Sequence, residues 1–582
     1  MLGRAVSRQE AQNDMEATLQ ANPELDSALE GLKKSRTACL RLSVAKRIEL
    51  LQCLRRDFFA VCPQWIEASL QAKGIAAGSP QEAEEWLSGP FCVLRNLRFL
   101  ERSLRGIERR GFPELPGQAR ISGQGQVCVP VLPSDSYDRL FYMGFQAEVR
   151  LQTQVESEDW QDSMAAAYRS STQQGAEAGR IVMVLGAGNV SSIGPMDVLH
   201  KIFVECKSVL LKMHPVNRYL GPLIEEGFRA LIQAGLLRVA EGGAEAGQYL
   251  CRHPWVDEIH ITGSDRTHDA IVYGGGEEGQ RRKAEDRPIL DKPISSELGN
   301  VSPVIVVPGR WSASDLRFQA ANLVSMLVNN AGFNCNALKL VVLQHGWEQR
   351  DALLDEVRRL LASVPLRQAY YPGARERHSE FLQGHGHAEH FGKPSAGELP
   401  WTLVAGLPSH SKDERLFQQE AFCSLFAETA LDAPSAAHFL DAAVDFVNER
   451  LWGTLSAALI VHPRSRRDPF TAQALERALD RLRYGTVALN HWPALGYGMA
   501  STSWGAYPGH SYPDIQSGIG VVHNTYMLSQ IEKTVLRGPF RVRPAPPWFV
   551  THRNPTPLAR RLTAFEASPG LGKVLGVLRR SV

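Results

Sequence analysis

Two side chains define the chemistry this sequence can attempt, the carboxylate of Glu297 and the thiol of Cys335. Glu297 lies in ELGN, at the edge of a turn, and an apolar strand is expected over residues 302–307. A helical run then leads to a second glycine turn, AGFNC, which carries Cys335. Each residue stands on a loop beside a regular element, so the pair can converge on one cleft as base and nucleophile. Taken alone, the same pair also reads as a buried structural cysteine and a solvated carboxylate. The flanking sequence has to decide.

To position such a pair the chain must build rigid elements on either side of it. From Ile181 the pattern becomes regular: IVMVLG as a strand, GAGNVSSIG as a turn, MDVLHKIFVE as a helix, SVLLKMHP as a strand. The helix GPLIEEGFRALIQAG, the strand LLRVAEG, the strand and turn VDEIHITGS and the helix opening DRTHDAIVYGG continue it. Strands and helices alternating through short loops predict an α/β fold with a mostly parallel sheet covered on both faces. A nucleotide binds at the carboxyl ends of such strands. GAGNVS carries two of the three glycines of a GxGxxG loop, a weak phosphate signal by itself. A second α/β unit begins near Val301, with strands at LKLVVLQHG, TLVAGL, FCSLFAE, SAALIVHP and TVALN.

The rest of the chain reads more coarsely. Residues 10–75 predict two or three amphipathic helices and 82–110 one more. Residues 121–155 alternate like a sheet flap, and 173–180 form a hydrophilic turn. The polar stretch 369–395 is expected as a solvated loop. Its His385, His387 and His390 lack the cysteine, carboxylate or HExxH context of a metal site. The tail from 535 is rich in proline and arginine and predicts an extended segment followed by a short helix.

A chain of 582 residues can bury a large core and divide into two or more domains. Its formal net charge of +2 provides no basic field for nucleic acid. Nine cysteines are scattered without a CxxC pair, which indicates neither a disulfide framework nor a thiolate zinc site. The stretch MLGRAVSRQEAQNDMEATLQ lacks an apolar signal core, and no run approaches the roughly 20 apolar residues of a transmembrane segment. A reducing, cytoplasmic setting is the expectation, and a free nucleophilic thiol suits it.

Over most of residues 30–530, and most strongly over 181–342, the sequence resembles the aldehyde dehydrogenase superfamily. The ELGG-type segment with the family's catalytic glutamate fits ELGN and Glu297, with Leu298 beside it. The N-x-G-Q-x-C-x-A pattern of its nucleophile fits Asn330, Gly332, Cys335 and Ala337, with Phe333 in place of glutamine. The asparagine closing the family's PWN segment fits Asn189, and the lysine closing the next strand fits Lys212. A strand-end TGS fits Thr262, Gly263 and Ser264; the glutamate before the family's FGP segment fits Glu420; and G-x-V-x-x-N fits Gly485, Val487 and Asn490. FGP itself is replaced by FCS, PWNFP is absent, and Glu297 and Cys335 lie about four residues further apart than is usual in the family.

The resemblance implies a parallel-sheet coenzyme domain, an α/β catalytic domain and a β oligomerisation arm. The expected division is 1–120 for the N-terminal helices of the coenzyme domain, 121–165 for the arm and 166–298 for the NAD(P)-binding domain. The catalytic domain with Cys335 takes 299–497, and a return segment with the tail takes 498–582. It also implies roles. Cys335 attacks an aldehyde, Asn189 and the Cys335 backbone N–H hold the oxyanion, and Glu297 activates the water that hydrolyses the thioester. Placement of Cys335 at a helix start would favour its thiolate. Lys212 and Glu420 reach the two ribose rings, and Thr262, Gly263 and Ser264 open a helix suited to the pyrophosphate. Pro215 occupies the position where NAD-preferring members often carry an acid, with His214 beside it, so the cofactor reads as NAD or NADP. Phe333, Trp492, Tyr497 and Trp504 would suit an apolar aldehyde, and the arm implies a homodimer or homotetramer. Coenzyme-A acylation, reduction of an acyl thioester, and a catalytically inactive nucleotide-binding relative stay open as alternatives.

Overall fold

The structure is a computed structural model that describes residues 22–155, 160–173 and 179–580. Part of the amphipathic pattern from residue 10, the N-terminal stretch without a signal core, and most of the turn read at 173–180 fall outside them. Helix α1 (Val44–Lys73) starts where the Ser43 side chain accepts from the Lys46 amide and stops at Gly74 in a left-handed conformation. The single helix expected over 82–110 is interrupted. A short helix, Glu82–Trp86, passes through a π-helical turn at Leu87–Phe91 into α2 (Cys92–Arg110). Pro90 sits in that turn, where its missing N–H breaks the regular ladder. Leu94, Leu97 and Leu104 of α2 join Leu51, Leu54 and Phe58 of α1 in one apolar core. Strands β1 (Val127–Leu132) and β2 (Gln146–Leu151) then pair antiparallel as the predicted flap, with a helix, Ser136–Phe141, inserted between them.

The alternation from Ile181 folds into the four strands the pattern predicts, joined by a fifth that ends on Glu297, so this residue closes a strand where a loop was expected. Strands β3 (Ile181–Leu185), β4 (Ser208–Lys212), β5 (Leu237–Ala240), β6 (Glu258–Thr262) and β7 (Ile294–Glu297) form a parallel sheet in the order β5-β4-β3-β6-β7. Helix α3 (Ile193–Phe203) follows β3 and is buried along its whole length. Helix α4 (Asp265–Tyr273) follows β6, capped by the Ser264 hydroxyl. In the β6–β7 register, His260 faces Ser295 and Thr262 faces Glu297.

The second unit begins with β8 (Pro303–Val306) and α5 (Ala313–Val328), whose N-terminus is a capping box between Ser312 and Asp315. Strands β9 (Leu340–Gln344), β10 (Trp401–Leu407), β11 (Leu425–Leu431), β12 (Ser456–Ile460), β13 (Thr486–Leu489) and β14 (Ile531–Arg537) complete a large sheet. Its parallel centre runs β14-β13-β12-β8-β9-β11-β10, and antiparallel strands flank it on both sides. The flap is one of those flanks, since β2 pairs with β14. The polar stretch 369–395 is more ordered than the expected loop. It contains the helix Ala374–Phe381 and an edge strand, Glu389–Phe391, on β10.

The tail departs most from expectation. Residues 535–537 end a strand at the seam between flap and parallel sheet, and the later helix α6 (Pro555–Ala567) runs for 13 residues. Helix α6 returns to the chain's own N-terminal helices. Glu566 meets Arg95 at 2.7 Å and also Arg98, and Arg95 in turn meets Asp138 at 2.8 Å, all of them buried. None of the described helices is long and apolar enough to cross a membrane.

Candidate active site

Where the carboxyl ends of the small sheet meet the large one, a cleft of about 1990 Å³ opens, and Cys335 and Glu297 are part of its lining. The Cys335 Sγ donates to Glu297 Oε1 at 3.4 Å, so the two residues that opened the sequence reading are in contact. Cys335 does not start a helix. It occupies a turn between a 3-10 segment, Asn329–Gly332, and β9. Asn330, Ala331 and Gly332 are left-handed in succession, with φ of 52°, 57° and 84°. At Gly332 a Cβ would lie 2.6 Å from the Cys423 carbonyl, so the turn admits only glycine there. The two non-glycine residues carry strain of roughly 1–3 kcal/mol each.

Clamps from several elements hold this strained turn. The Asn330 side-chain amide donates to the carbonyls of Asn189 (2.9 Å) and Phe333 (3.0 Å). Lys73, at the end of α1, donates to Asn330 Oδ1 (3.0 Å), the Asn189 carbonyl (3.2 Å) and Glu85 (2.8 Å). The Tyr370 hydroxyl donates to the same two acceptors on Asn189 and Asn330. The Trp492 indole donates to the Asn336 carbonyl at 2.7 Å, and the Ser302 hydroxyl to the Cys335 carbonyl at 3.1 Å. Asn189 is brought to the nucleophile turn, and one of its amide hydrogens is used on the Phe333 carbonyl at 3.0 Å. The sequence reading included Asn330 but missed Lys73, Glu85 and Tyr370. Lys73 and Glu85 are visible in the sequence only as charges within helices, and Tyr370, in a loop, leaves no signal.

Electrostatics distinguish the pair. Burial, reinforced by the Glu297 and Glu420 charges, pushes the Cys335 thiol well above its usual range. Burial also raises Glu297 to about 7, opposed by the Trp504 indole that faces its carboxylate. The proton therefore rests on sulfur in this state, with a carboxylate near neutrality as its acceptor. On the other side the thiol packs with Tyr497 against an apolar cluster of Leu455, Trp504 and Val522. Phe333 points elsewhere, into an aromatic group with Tyr370, Tyr371 and Phe422, and Trp492 belongs to the core around α5.

The remaining predicted residues line the same cleft. Lys212 ends β4, and its ammonium has no ion pair or hydrogen bond among the described residues; burial lowers its pKa. His214 is neutral, lowered to about 4 by burial, and stacks on Tyr371 with ring centroids 6.0 Å apart. Glu420 lies against Gly299, where any side chain would collide with it. Its Oε1 has no hydrogen-bond partner among the described residues. Burial raises its pKa, and Lys339 and Arg377 oppose the shift. Leu298 lines the cleft between Glu297 and Gly299. The TGS turn is only partly free: the Gly263 amide donates to the Glu297 carbonyl, the Thr262 hydroxyl turns away to Asp197, and Ser264 caps α4. An unpaired ammonium, an orphaned carboxylate oxygen and a helix N-terminus along one elongated cleft fit a dinucleotide. His385 and His390 lie apart from this site, facing Glu414 and Thr402.

Residues 206–389 match the model of the aldehyde dehydrogenase family. The chain is 28% identical over 324 residues to an aminoacetaldehyde dehydrogenase from Pseudomonas aeruginosa, covering 52% of this chain and 56% of that protein. It is 29% identical over 179 residues to an N-succinylglutamate 5-semialdehyde dehydrogenase from Sphingopyxis alaskensis, covering 30% and 34%. The chain thus spans about half the length, or less, of these curated relatives. In fold it is similar to the substrate-bound Staphylococcus aureus AldH, with a TM-score of 0.57 over 90% of this chain and 95% of that one at 15% identity. It is also similar to a Mycobacterium tuberculosis aldehyde dehydrogenase complexed with NAD+, with a TM-score of 0.58 over 90% and 92% at 16% identity. In sequence, residues 206–389 are thus similar to the aldehyde dehydrogenase family, and most of the chain has the fold of solved aldehyde dehydrogenases.

Proposed function

We propose that the protein oxidises an aldehyde to a carboxylic acid with NAD or NADP, Cys335 acting as nucleophile and Glu297 as base. The contact between the Cys335 thiol and the Glu297 carboxylate, inside a cleft that also holds Lys212 and Glu420, carries this reading. Glu297 takes the thiol proton, and the sulfur adds to the aldehyde carbon. The second Asn189 amide hydrogen and the Cys335 N–H face the oxygen as it gains charge; losing one such donor typically costs about 3 kcal/mol of barrier. The cofactor, when bound, supplies the hydride acceptor and a positive charge that favours the thiolate. Lys212 would hold it at one ribose, Glu420 at the other, and the N-terminus of α4 at the pyrophosphate. Loss of hydride leaves a thioester on Cys335, and Glu297, once it has released the thiol proton to solvent, removes a proton from the water that cleaves it. A base beside the sulfur favours release of a free acid over transfer to coenzyme A.

The apolar wall of Leu455, Trp504 and Val522 beside the thiol supports an apolar aldehyde. Exposed Ile121, Leu140 and Met143 on the flap support a homodimer or homotetramer. Nine unpaired cysteines support a reducing, cytoplasmic setting. The test is NAD(P)H absorbance with a series of straight-chain aldehydes, with NAD or NADP, with and without coenzyme A. Wild type should turn over without coenzyme A, and Cys335→Ala should not. Turnover only with coenzyme A would replace hydrolysis by acylation. Nucleotide binding with no turnover of any aldehyde would leave an inactive relative.

A further inference from the structure

Nine large apolar side chains stand exposed among the described residues, and three of them fall within eight residues of one helix. Helix α7 (Leu571–Leu578) follows α6 and packs on it, burying Val574 and Val577. Its Leu571, Leu575 and Leu578 are 77%, 57% and 38% exposed. Steps of four and three residues place these leucines on one face. Arg579 comes four residues after Leu575 and closes the same stripe, Arg580 follows, and both are exposed. Arg561 of α6 adds a third exposed cation, its guanidinium 2.7 Å from where a side chain on Gly576 would start.

Charge is concentrated here. Residues 538–580 contain eight lysines and arginines and a single carboxylate, Glu566, in a chain whose net charge is only +2. Glu566 is buried on Arg95 and Arg98 and offers nothing to the surface. Arg541 is taken by Asp315, Arg560 by Glu82, and Lys573 turns back to the Ala564 carbonyl. Arg561, Arg579 and Arg580 have no ion pair among the described residues. The leucine stripe is thus bordered by free positive charge and by no free negative charge of its own segment.

We propose that this face of α7 docks the protein on an anionic phospholipid surface, independently of the chemistry at Cys335. The leucines would enter the boundary of headgroups and acyl chains, and the three arginines would meet lipid phosphates. At about 12 Å the helix is too short to span a bilayer, so it lies on one. It is already folded and fixed to the body by Val574 and Val577, so docking does not have to order it. A symmetric contact with a second copy would offer the same leucines but no carboxylate for the arginines. The leucines also project outward, which suits a deformable lipid surface without a matching groove.

The test is sedimentation of the full chain with vesicles of phosphatidylcholine, alone or mixed with phosphatidylglycerol. Wild type should bind the mixed vesicles at least tenfold more tightly than the neutral ones. Binding should weaken as salt rises to about 1 M, where the screening length falls to about 3 Å. Arg579→Gln and Arg580→Gln should each weaken it roughly fivefold. Leu571→Ser combined with Leu575→Ser should weaken it roughly tenfold or more. These side chains are exposed, so melting temperature should not change. Phe470, 74% exposed and lying apart on another helix, is the control: Phe470→Ser should bind as wild type does. Absence of binding to mixed vesicles would overturn the proposal and leave the face to a protein partner. Undiminished binding by the leucine variant, or an equal loss in Phe470→Ser, would overturn it as well. An oligomer that dissociates in the leucine variant, seen by sedimentation velocity, would assign the face to a second copy instead.

Discussion

Two buried polar networks lie in this molecule, and they are built differently. The one joining α2, the flap and α6 consists of Arg95, Arg98, Asp135, Asp138 and Glu566. Its cations are guanidiniums that keep their protons, and Arg95 uses its third donor position on the Met499 carbonyl at 2.8 Å. The network around Glu297 includes a carboxylate near neutrality and a thiol held protonated. It also has an open end, with no hydrogen-bond partner for Glu297 Oε2 among the described residues. Burial of charge is therefore no mark of function by itself. A saturated set with fixed charge holds elements together, and an unsaturated set whose members titrate can move protons.

The sharpest way to break this comparison is Glu297→Gln. It should slow hydrolysis of the Cys335 acyl-enzyme by about 10²–10⁴ while leaving the fold intact, measured by rapid quench and peptide mass. An unaltered rate would demote Glu297 to the structural class. Next comes Arg95→Ala, which strands Asp138 and part of Glu566. It should cost about 3–5 kcal/mol in denaturant unfolding, with the rate per folded molecule unchanged. The smallest effect sharpens the contrast through pH. The folded pKa of Glu297, about 7, lies above the ordinary carboxylate value of 4.5. Its contribution to stability is thus complete below about pH 4.5 and is lost as pH rises through 7. Glu297→Gln should match wild type in acid and exceed it by about 3 kcal/mol above neutrality. No such crossover is expected for Arg95→Ala.

Much of the fold was legible because periodicity reports it directly. The alternation from Ile181 predicted four of the five parallel strands, whose burial on both faces shows as unbroken runs such as IVMVL and SVLLK, whereas the polar run ISSE of the fifth was read as the approach to a turn. The π-turn at Leu87–Phe91 and the strand at Ile531–Arg537 were harder. The first depends on one proline inside a helical pattern, and the second on a partner strand nearly 400 residues earlier, β2. Of the site, the ordered motifs pointed to Cys335, Glu297, Asn189, Lys212 and Glu420, and the fold gathers them at one cleft. Spacing could not give Lys73 or Tyr370, whose roles exist only once α1 and the 370s segment are folded against the nucleophile turn. Nor could it give the direction of Thr262, whose hydroxyl serves Asp197.

The embrace of α2 by α6 also has a consequence in time. Arg95 and Glu566 are 471 residues apart, so a ribosome adding about 5–20 residues per second exposes the arginine roughly 25–95 seconds before its partner emerges. Through that interval the N-terminal helices hold a cationic seam facing a surface that α6 alone covers with Glu566. The seam on α2 thus waits for a partner that is translated 471 residues later.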